Sequence, residues 1–364
     1  MSILSHYRQL PFSIAFRLMI FAKRMLPSSL LLWMLTIPCL KASAQNGQPY
    51  SIHVLEAHPP LKSIRGLSAV TDDVVWASGT GGMVGRSING GDTWEWHQVK
   101  ACDSCDWRSL YAFNDRKAVV INAGEPAHVF LTEDGGQSWQ QVYFNATPGI
   151  FFDAVAFYND QEGIAIGDPL QQHFAMLRTH DGGHTWQQDT PAQSPEALAG
   201  ESIFAASGTS LIARNGLTVF VTGGTVSRFH QLSGTRWNSR PLPLLQGQAS
   251  TGAFSVAFLN NRTGIVVGGD YRQDTIRQQN CLLTGDGGRT WSAPVTALGG
   301  FKSAVAWLTP QILVATGTSG TDISTDGGKN WQKIGEGFHC AAKSGNGKRL
   351  FLAGKSIARL EKVE

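Results

Sequence analysis

The feature that most constrains the fold of this 364-residue chain is a short segment that recurs five times. Each copy has a Ser or Thr, an Asp or Asn two residues later, a Gly-Gly pair, and then a Trp. The Asp or Asn and the Trp of the five copies are Asn89 and Trp94, Asp134 and Trp139, Asp181 and Trp186, Asp286 and Trp291, and Asp326 and Trp331. A degenerate copy at residues 232–237 keeps the Trp but lacks the Asp, and the Trp residues follow one another at intervals of about 40 to 54 residues. A repeat of this length predicts an array of similar supersecondary units.

Each copy has the composition of a tight β-hairpin turn. The Asp oxygen accepts backbone N–H groups across the turn, and the two glycines supply the positive φ angles that such a turn requires. The flanking Ser or Thr and the Trp then lie on the two strands, where the indole packs between sheets. Calcium binding or catalysis by these Asp residues is the alternative, but the local turn already satisfies each carboxylate. We therefore interpret the copies as structural.

Two further strand-like runs precede each copy, for example residues 152–157 and residues 163–167. With the strands on either side of the turn they make four, which is the unit of a β-propeller blade. A last unit over residues 338–360 lacks the turn but keeps the earlier strands, and residues 50–55 are expected to supply its outer strand. The predicted fold class is therefore all-β, a seven-bladed β-propeller formed as a single domain over residues 45–364.

The recurring turn is similar to the Asp-box (BNR) repeat, which also occurs in the sialidase-like superfamily. The order of motifs further resembles the photosystem II stability/assembly factor-like family of Asp-box propellers. The resembling stretches are residues 64–67, 107–109, 152–154, 167–169, 200–201, 204–209, 269–272, 302–305 and 337–339. The resemblance implies a seven-bladed propeller that is exported across a membrane. In photosynthetic members it implies a chaperone-like scaffold that holds a membrane-protein assembly intermediate.

The first 44 residues have the pattern of a secretory signal peptide. Lys23 and Arg24 precede an uncharged apolar run over residues 26–40, which is followed by small residues that end at Ala44. This order predicts cleavage after Ala44 and a periplasmic or secreted protein. An uncleaved membrane anchor is the alternative, although the apolar run is short for a membrane span.

The charge of the chain is concentrated in this N-terminal segment. The formal net charge of +3 includes five Lys or Arg and no Asp or Glu before residue 45, so the remainder has 25 basic and 27 acidic residues. This balance is not typical of a nucleic-acid-binding protein. No Gly-x-Gly-x-x-Gly segment joins a strand to a predicted helix, and we expect no cofactor.

Blade topology predicts where binding residues lie. The inner strand of each blade begins, and the second strand ends, on one face of the ring, whereas the Asp-box turn lies on the opposite face. Polar residues at these positions are expected around one mouth of the central channel, as a binding surface for a peptide or another polar ligand. They are Arg65, Arg108, Asp153, Glu201, Lys302 and His339 at inner-strand starts, and Glu125, Asp168, Asp270, Tyr271, Arg272 and Asp322 at second-strand ends. The alternative is that a solvated channel mouth simply tolerates charge.

These patterns favour an exported, non-catalytic propeller that binds a protein partner in the cell envelope as a monomeric scaffold. A sialidase-type glycoside hydrolase is an alternative, although sialidases have six blades. The residues available for its substrate-carboxylate, nucleophile and acid roles are Arg65, Arg108 and Arg272, Tyr271 with Glu201, and Asp153.

The cysteines leave a second alternative open. Cys102 and Cys105 are spaced to form a local disulfide in an oxidising compartment. A redox-active pair is the other reading, but no helix N-terminus is evident there to lower a thiol pKa. A single Cys-x-x-Cys segment is weak support for zinc, so no metal site is expected.

Overall fold

The computed structural model describes residues 49–345 and 347–363. The predicted signal peptide, residues 1–44, lies outside this part of the chain. The described residues form 29 β-strands and two short 3-10 helices, η1 (Lys100–Cys102) and η2 (Pro191–Gln193). No helix among them is long and apolar enough to cross a membrane.

The strands form seven sheets, which are the blades of a β-propeller. The first strand, β1 (Tyr50–Glu56), belongs to the last blade. Blade 1 contains β2 (Ile64–Ala69), β3 (Val75–Gly79), β4 (Met83–Ser87) and β5 (Glu95–Gln98); blade 2 contains β6 (Trp107–Ala112), β7 (Ala118–Asn122), β8 (Ala127–Thr132) and β9 (Gln140–Asn145); blade 3 contains β10 (Phe152–Phe157), β11 (Gly163–Leu170), β12 (His173–Thr179) and β13 (Gln187–Gln188).

The remaining blades follow in chain order, with one irregularity. The short strand β14 (Glu201–Ser202) precedes blade 4 and pairs with β17 in the sheet of blade 5. Blade 4 contains β15 (Leu211–Arg214), β16 (Leu217–Val221), then after β17 (Gly223–Gly224) β18 (Arg228–Ser233) and β19 (Arg236–Pro241); blade 5 contains β20 (Thr251–Phe258), β21 (Gly264–Asp270) and β22 (Cys281–Thr284); blade 6 contains β23 (Ala304–Trp307), β24 (Leu313–Gly317), β25 (Gly320–Ser324) and β26 (Gln332–Gly335); blade 7 contains β27 (Cys340–Lys343), β28 (Leu350–Ala353) and β29 (Ile357–Lys362).

The prediction of an all-β, seven-bladed propeller is confirmed. Strand β1 pairs antiparallel with β29, with Tyr50 opposite Lys362 and Ile52 opposite Leu360. The N-terminal strand is thus the outer strand of blade 7, where residues 50–55 were expected. This pairing closes the ring by joining strands from opposite ends of the propeller.

The hydrophobic core lies between successive blades. Every residue of β7 is buried, because a neighbouring blade covers each face of the sheet. Val119 and Ile121 of blade 2 pack in one cluster with Val155 and Ala165 of blade 3. Burial of a Val or Ile side chain contributes about 1.5–3 kcal/mol, so these interfaces hold the ring together.

Hydroxyl groups of the inner strands also link one blade to the next. Ser109 Oγ accepts a hydrogen bond of 3.0 Å from the backbone N–H of Val155. Ser303 Oγ donates one of 2.8 Å to the carbonyl oxygen of His339. These contacts satisfy backbone groups that face the channel and have no strand partner there.

The Asp-box copies form the hairpin turns that their sequence predicts. Asp134 Oδ1 accepts hydrogen bonds from the backbone N–H of Ser138 (3.0 Å) and from Thr132 Oγ1 (2.9 Å). The next two residues, Gly135 and Gly136, have φ angles of 84° and 90°, which favour glycine. Burial acts to raise the pKa of Asp134, but the hydrogen bonds outweigh it and lower the pKa to about 2. The carboxylate is engaged by its own turn, as the sequence indicates.

Candidate functional site

A cavity of about 480 Å³ lies where the inner strands of all seven blades begin. Six of the twelve residues predicted at the channel mouth line it: Arg65, Arg108, Asp153, Asp168, Tyr271 and His339. Side chains that the prediction did not name complete the lining, among them Phe204, Phe254 and Phe301. Because the lining comes from every blade, this cavity is the mouth of the central channel.

The floor of the cavity is the segment that leads from β14 into blade 4, residues 203–210, which we call the plug. Arg65 Nη1, on blade 1, donates a hydrogen bond of 3.2 Å to the carbonyl oxygen of Ala206. Ser207 Oγ donates one of 2.8 Å to the carbonyl oxygen of Ser303, at the start of blade 6. A segment leading into blade 4 that bonds to blades 1 and 6 must lie across the channel.

Further contacts fix the two ends of the plug. The backbone N–H of Ile203 donates to Asp168 Oδ1 of blade 3 at 2.9 Å. Thr209 Oγ1 and Ser255 Oγ of blade 5 are 2.7 Å apart. The plug is therefore held by side chains of blades 1, 3 and 5 and by a backbone carbonyl group of blade 6, and its position depends on contacts that are distant in sequence.

One wall of the cavity is basic. No carboxylate of the described residues forms an ion pair with Arg65, whereas Arg108 Nε lies 2.7 Å from Asp106 Oδ2. Burial lowers the pKa of Arg65, which remains a cation at neutral pH because an Arg pKa begins above 12. Burial and then the charges of Arg65, Lys355 and Arg108 lower the pKa of His339 to about 4. His339 is thus neutral at pH 7, and the local potential is positive.

An acidic pair lies beside this wall. Burial raises the pKa of Asp168 to about 6, opposed by the hydrogen bond from Ile203. The pKa of Asp153 is well above its usual range because of burial and the Asp168 charge, which outweigh the charge of Arg108. The backbone N–H of Ala205 is close enough to lower that pKa, yet within the described residues neither Asp153 oxygen accepts a hydrogen bond of normal geometry. The raised pKa favours the protonated form of Asp153, whereas Asp168, with a pKa of about 6, supplies a carboxylate beside the basic wall at pH 7.

The opposite wall is aromatic. Phe204 of the plug stacks on Phe254 with ring centroids 3.9 Å apart and an interplanar angle of 1°. Phe301 contacts Phe254 edge to face at 4.7 Å, and Tyr271 lies 6.2 Å from Phe254 in the same manner. The side chain of Tyr271 is 44% exposed, so this wall continues to the protein surface. Arg272 lies over the Tyr271 ring at 5.8 Å.

Glu201 was expected at the mouth but faces into blade 4. Its carboxylate accepts a hydrogen bond of 2.9 Å from Arg228 Nε and lies 3.2 Å from His230 Nε2. Burial acts to raise the pKa of Glu201, but its hydrogen bonds from His230, Arg228 and Thr222 lower it to about 2. Successive side chains of a strand point to opposite faces, so a residue at the correct height can still face away from the channel.

Lys302 and Asp322 form a buried ion pair outside the cavity. Lys302 Nζ lies 3.1 Å from Asp322 Oδ2, and both side chains are at most 2% exposed. The placement of Asp322 at the end of a second strand was wrong, because β24 ends at Gly317 and Asp322 lies within the third strand, β25. Asp322 also accepts a hydrogen bond of 2.6 Å from the backbone N–H of Gly299.

The other predicted residues lie near the mouth without lining the cavity. Asp270 is the last residue of β21, but it is buried and accepts a hydrogen bond of 2.9 Å from the backbone N–H of Arg272. Glu125 is exposed in the loop after β7, and its Oε2 accepts one of 2.8 Å from the backbone N–H of Gly149. Both side chains brace loops.

Four residues of the sialidase alternative, Arg65, Arg108, Asp153 and Tyr271, line the cavity, but Glu201 and Arg272 do not. Tyr271 lines the cavity, whereas the side chain of Glu201, its required partner, is fully buried against Arg228. The redox alternative concerns another location. Cys102 and Cys105 form a disulfide in the loop between blades 1 and 2, next to His128.

The fold and the site define a seven-bladed Asp-box propeller with a plugged, half-basic and half-aromatic channel mouth. The family model of the BNR/Asp-box repeat matches residues 322–333, and no curated protein matches the chain. One similar solved structure is "YCF48 bound to D1 peptide", with 17% identity, a TM-score of 0.59, and coverage of 87% of this chain and 97% of that one. Another is "YCF48 from Cyanidioschyzon merolae", with 16% identity, a TM-score of 0.60, and coverage of 86% and 98%.

The fold is shared with an enzyme as well. A streptogramin B lyase structure matches with 11% identity, a TM-score of 0.59, and coverage of 86% of this chain and 98% of that one. At these identities the likeness shows the fold alone. The two YCF48 structures support the propeller fold, and the Asp-box match supports the repeat, that were drawn from the sequence.

Proposed function

We propose that the channel mouth binds an acidic segment of another protein, and that the chain acts as an exported, non-catalytic, monomeric scaffold in the cell envelope. The observation that carries this proposal is the Arg65 guanidinium, which is partly buried in the cavity and has no ion-pair partner among the described residues. A desolvated charge without a counter-charge is costly, and a carboxylate from a ligand removes that cost.

The aromatic wall supports a peptide rather than a free anion. Phe204, Phe254 and Tyr271 form an apolar surface beside the basic wall, and it reaches solvent at Tyr271. A peptide offers an apolar side chain to such a surface and a carboxylate to Arg65 and Arg108 at the same time. Aromatic and Arg side chains carry much of the energy at protein interfaces. The likeness to a YCF48 structure with a bound D1 peptide points in the same direction.

The test uses peptides selected by the purified protein from a displayed library of random peptides. Each selected peptide is compared with its Glu→Gln and Asp→Asn form by calorimetric titration. We expect Arg65→Ala to weaken the acidic peptide about 10- to 100-fold, because a hydrogen bond to a charged group contributes about 1.5–3 kcal/mol. Arg289→Ala is the matched control, since this exposed Arg lies in an Asp-box turn on the opposite face. Peptides insensitive to Arg65 and Arg108 would show that the mouth is not the binding site.

Export is tested separately. N-terminal sequencing of the protein from its native host is expected to begin at Gln45, after cleavage at Ala44, and fractionation is expected to find it outside the cytoplasm. A mature protein that retains residues 1–44 would contradict the cleavage. Release of a fluorophore from a sialoside by the purified protein would contradict the non-catalytic role.

A further inference from the structure

The loop between blades 1 and 2 brings three metal-binding side chains together. Cys102 ends the helix η1, and Cys105 follows three residues later, with their Cα atoms 5.3 Å apart. His128 lies on β8, in the neighbouring blade. One ring nitrogen of His128 and the two Sγ atoms all lie within 4.8 Å of one another. The sequence did not indicate this group, because His128 is separated from the cysteines by two strands.

The imidazole of His128 is oriented by a second residue. Nδ1 of His128 lies 3.2 Å from Oε1 of Gln141, on the adjacent strand β9. An amide oxygen only accepts hydrogen bonds, so this contact favours the tautomer with the proton on Nδ1 and a lone pair on Nε2. A hydrogen bond from the second ring nitrogen to an oxygen acceptor is the usual arrangement of a histidine that ligates a metal.

We propose that, in the dithiol form, Cys102, Cys105 and His128 bind a thiophilic d10 cation, Zn²⁺ or Cu⁺. Two thiolates and one imidazole complete a three-coordinate Cu⁺ site, or three positions of a Zn²⁺ tetrahedron whose fourth ligand is water. The Cys-x-x-Cys spacing is that of known zinc sites. The disulfide in the structure is then the metal-free, oxidised form of the same site.

The disulfide form is converted to the metal-bound form by reduction and then metal binding, with electrons and protons accounted for. A dithiol reductant transfers two electrons and two protons to the disulfide: the S–S bond breaks, two thiols form, and the reductant becomes a disulfide. The cation then displaces both thiol protons. Cys102 is half-buried, which leaves one sulfur accessible to the reductant.

The other described cysteines provide an internal contrast. Cys281 and Cys340 are buried, and burial raises the pKa of both thiols, that of Cys340 to about 12. Neither belongs to a cluster of possible ligands in the described part of the chain. They are expected to remain protonated and metal-free.

The experiment measures metal stoichiometry in a Cys39→Ser background, which removes the fifth cysteine of the sequence. The purified protein is reduced with a phosphine, desalted without oxygen, and titrated with Zn²⁺ and, in a separate arm, with Cu⁺ against a chromophoric chelator. We expect one ion per reduced chain and none per oxidised chain. His128→Gln should weaken binding more than tenfold, Gln141→Ala about tenfold, and His180→Gln, at an exposed control position, not at all.

X-ray absorption of the loaded wild-type protein keeps the test decisive if a variant does not fold. Two sulfur scatterers and at least one nitrogen scatterer are expected. Absence of binding by the reduced protein, a shell without nitrogen, or unchanged affinity in folded His128→Gln would each overturn the proposal. None of these results depends on whether the channel mouth binds a peptide.

Discussion

Arg65 Nη1 donates a hydrogen bond to the carbonyl oxygen of Ala206, so this cation, which has no ion-pair partner among the described residues, also holds the segment that lies across the channel. A movement of the Arg65 side chain would therefore also move the plug, because the hydrogen bond to Ala206 connects them. A ligand that draws the Arg65 guanidinium toward itself acts directly on the plug. The first prediction concerns this segment.

Ser207→Ala should lower the free energy of unfolding by about 1–3 kcal/mol. The substitution removes the buried hydrogen bond to the carbonyl oxygen of Ser303 and leaves that oxygen without this donor. Urea denaturation measures the change, and Ser233→Ala, at the exposed last residue of β18, is the control. Equal losses in the two variants would show that the plug is not anchored by Ser207.

Asp168→Asn should change how stability depends on pH. The pKa of Asp168 is raised from 3.8 to about 6 by burial, so its stabilising effect is complete below about pH 4 and is lost as the pH rises through about 6. Relative to Asp168→Asn, the wild type should therefore lose up to about 3 kcal/mol between pH 4 and pH 7. The Asn side chain keeps an oxygen acceptor for the N–H of Ile203.

Denaturation at pH 4 and pH 7 measures this difference. Asp153 also has a raised pKa, and the Asp168 charge is one of its causes, so the difference between the two curves reports on the Asp168–Asp153 pair. Curves that remain parallel across this range would contradict the shift. A wild type that gained stability relative to Asp168→Asn between pH 4 and pH 7 would contradict its sign.

Lys302→Met should destabilise the protein by about 3–5 kcal/mol, because it leaves the Asp322 carboxylate buried without its cation. Adding Asp322→Asn should recover part of that loss, since Asn keeps an acceptor for the N–H of Gly299 but carries no charge. A double-mutant cycle in urea measures the coupling. Additive losses would show that the two side chains do not interact.

Glu201→Gln should act on stability rather than on catalysis. It removes a carboxylate that accepts hydrogen bonds from Arg228 and lies beside His230, so we expect a loss of about 3–5 kcal/mol. Glu196→Gln, at an exposed position of the same region, is the control. A Glu201→Gln protein of unchanged stability that had lost an activity on a glycoside would restore the sialidase alternative.

The blade architecture was predictable from the sequence because it depends on local patterns. Gly135 and Gly136 have the positive φ angles that the turn after Asp134 requires, and the Gly-Gly pair of any single Asp-box copy indicates this turn. The pairing of β1 with β29 was also predicted, since the last unit lacked one strand. The first inference uses the residues of a single turn, and the second uses the number of strands in a single blade.

The site was less predictable because its geometry depends on which way a side chain faces and on contacts between distant blades. Glu201 lies at the expected end of its strand, but its side chain faces into the blade. Asp322 lies one strand later than expected. The plug was not predicted at all. Ser207 and Ser303 are 96 residues apart, and no local pattern links a short segment leading into blade 4 to blade 6.

The pairing of β1 with β29 also sets an order of events. The outer strand of blade 7 is made among the first residues of the propeller and its partner among the last, so the ring cannot close until β29 has been synthesised. Contacts so distant in sequence form late, because the entropy of closing the loop must be overcome first. The ring of a nascent chain of this protein therefore stays open until β29 has been made, even where single blades have already formed.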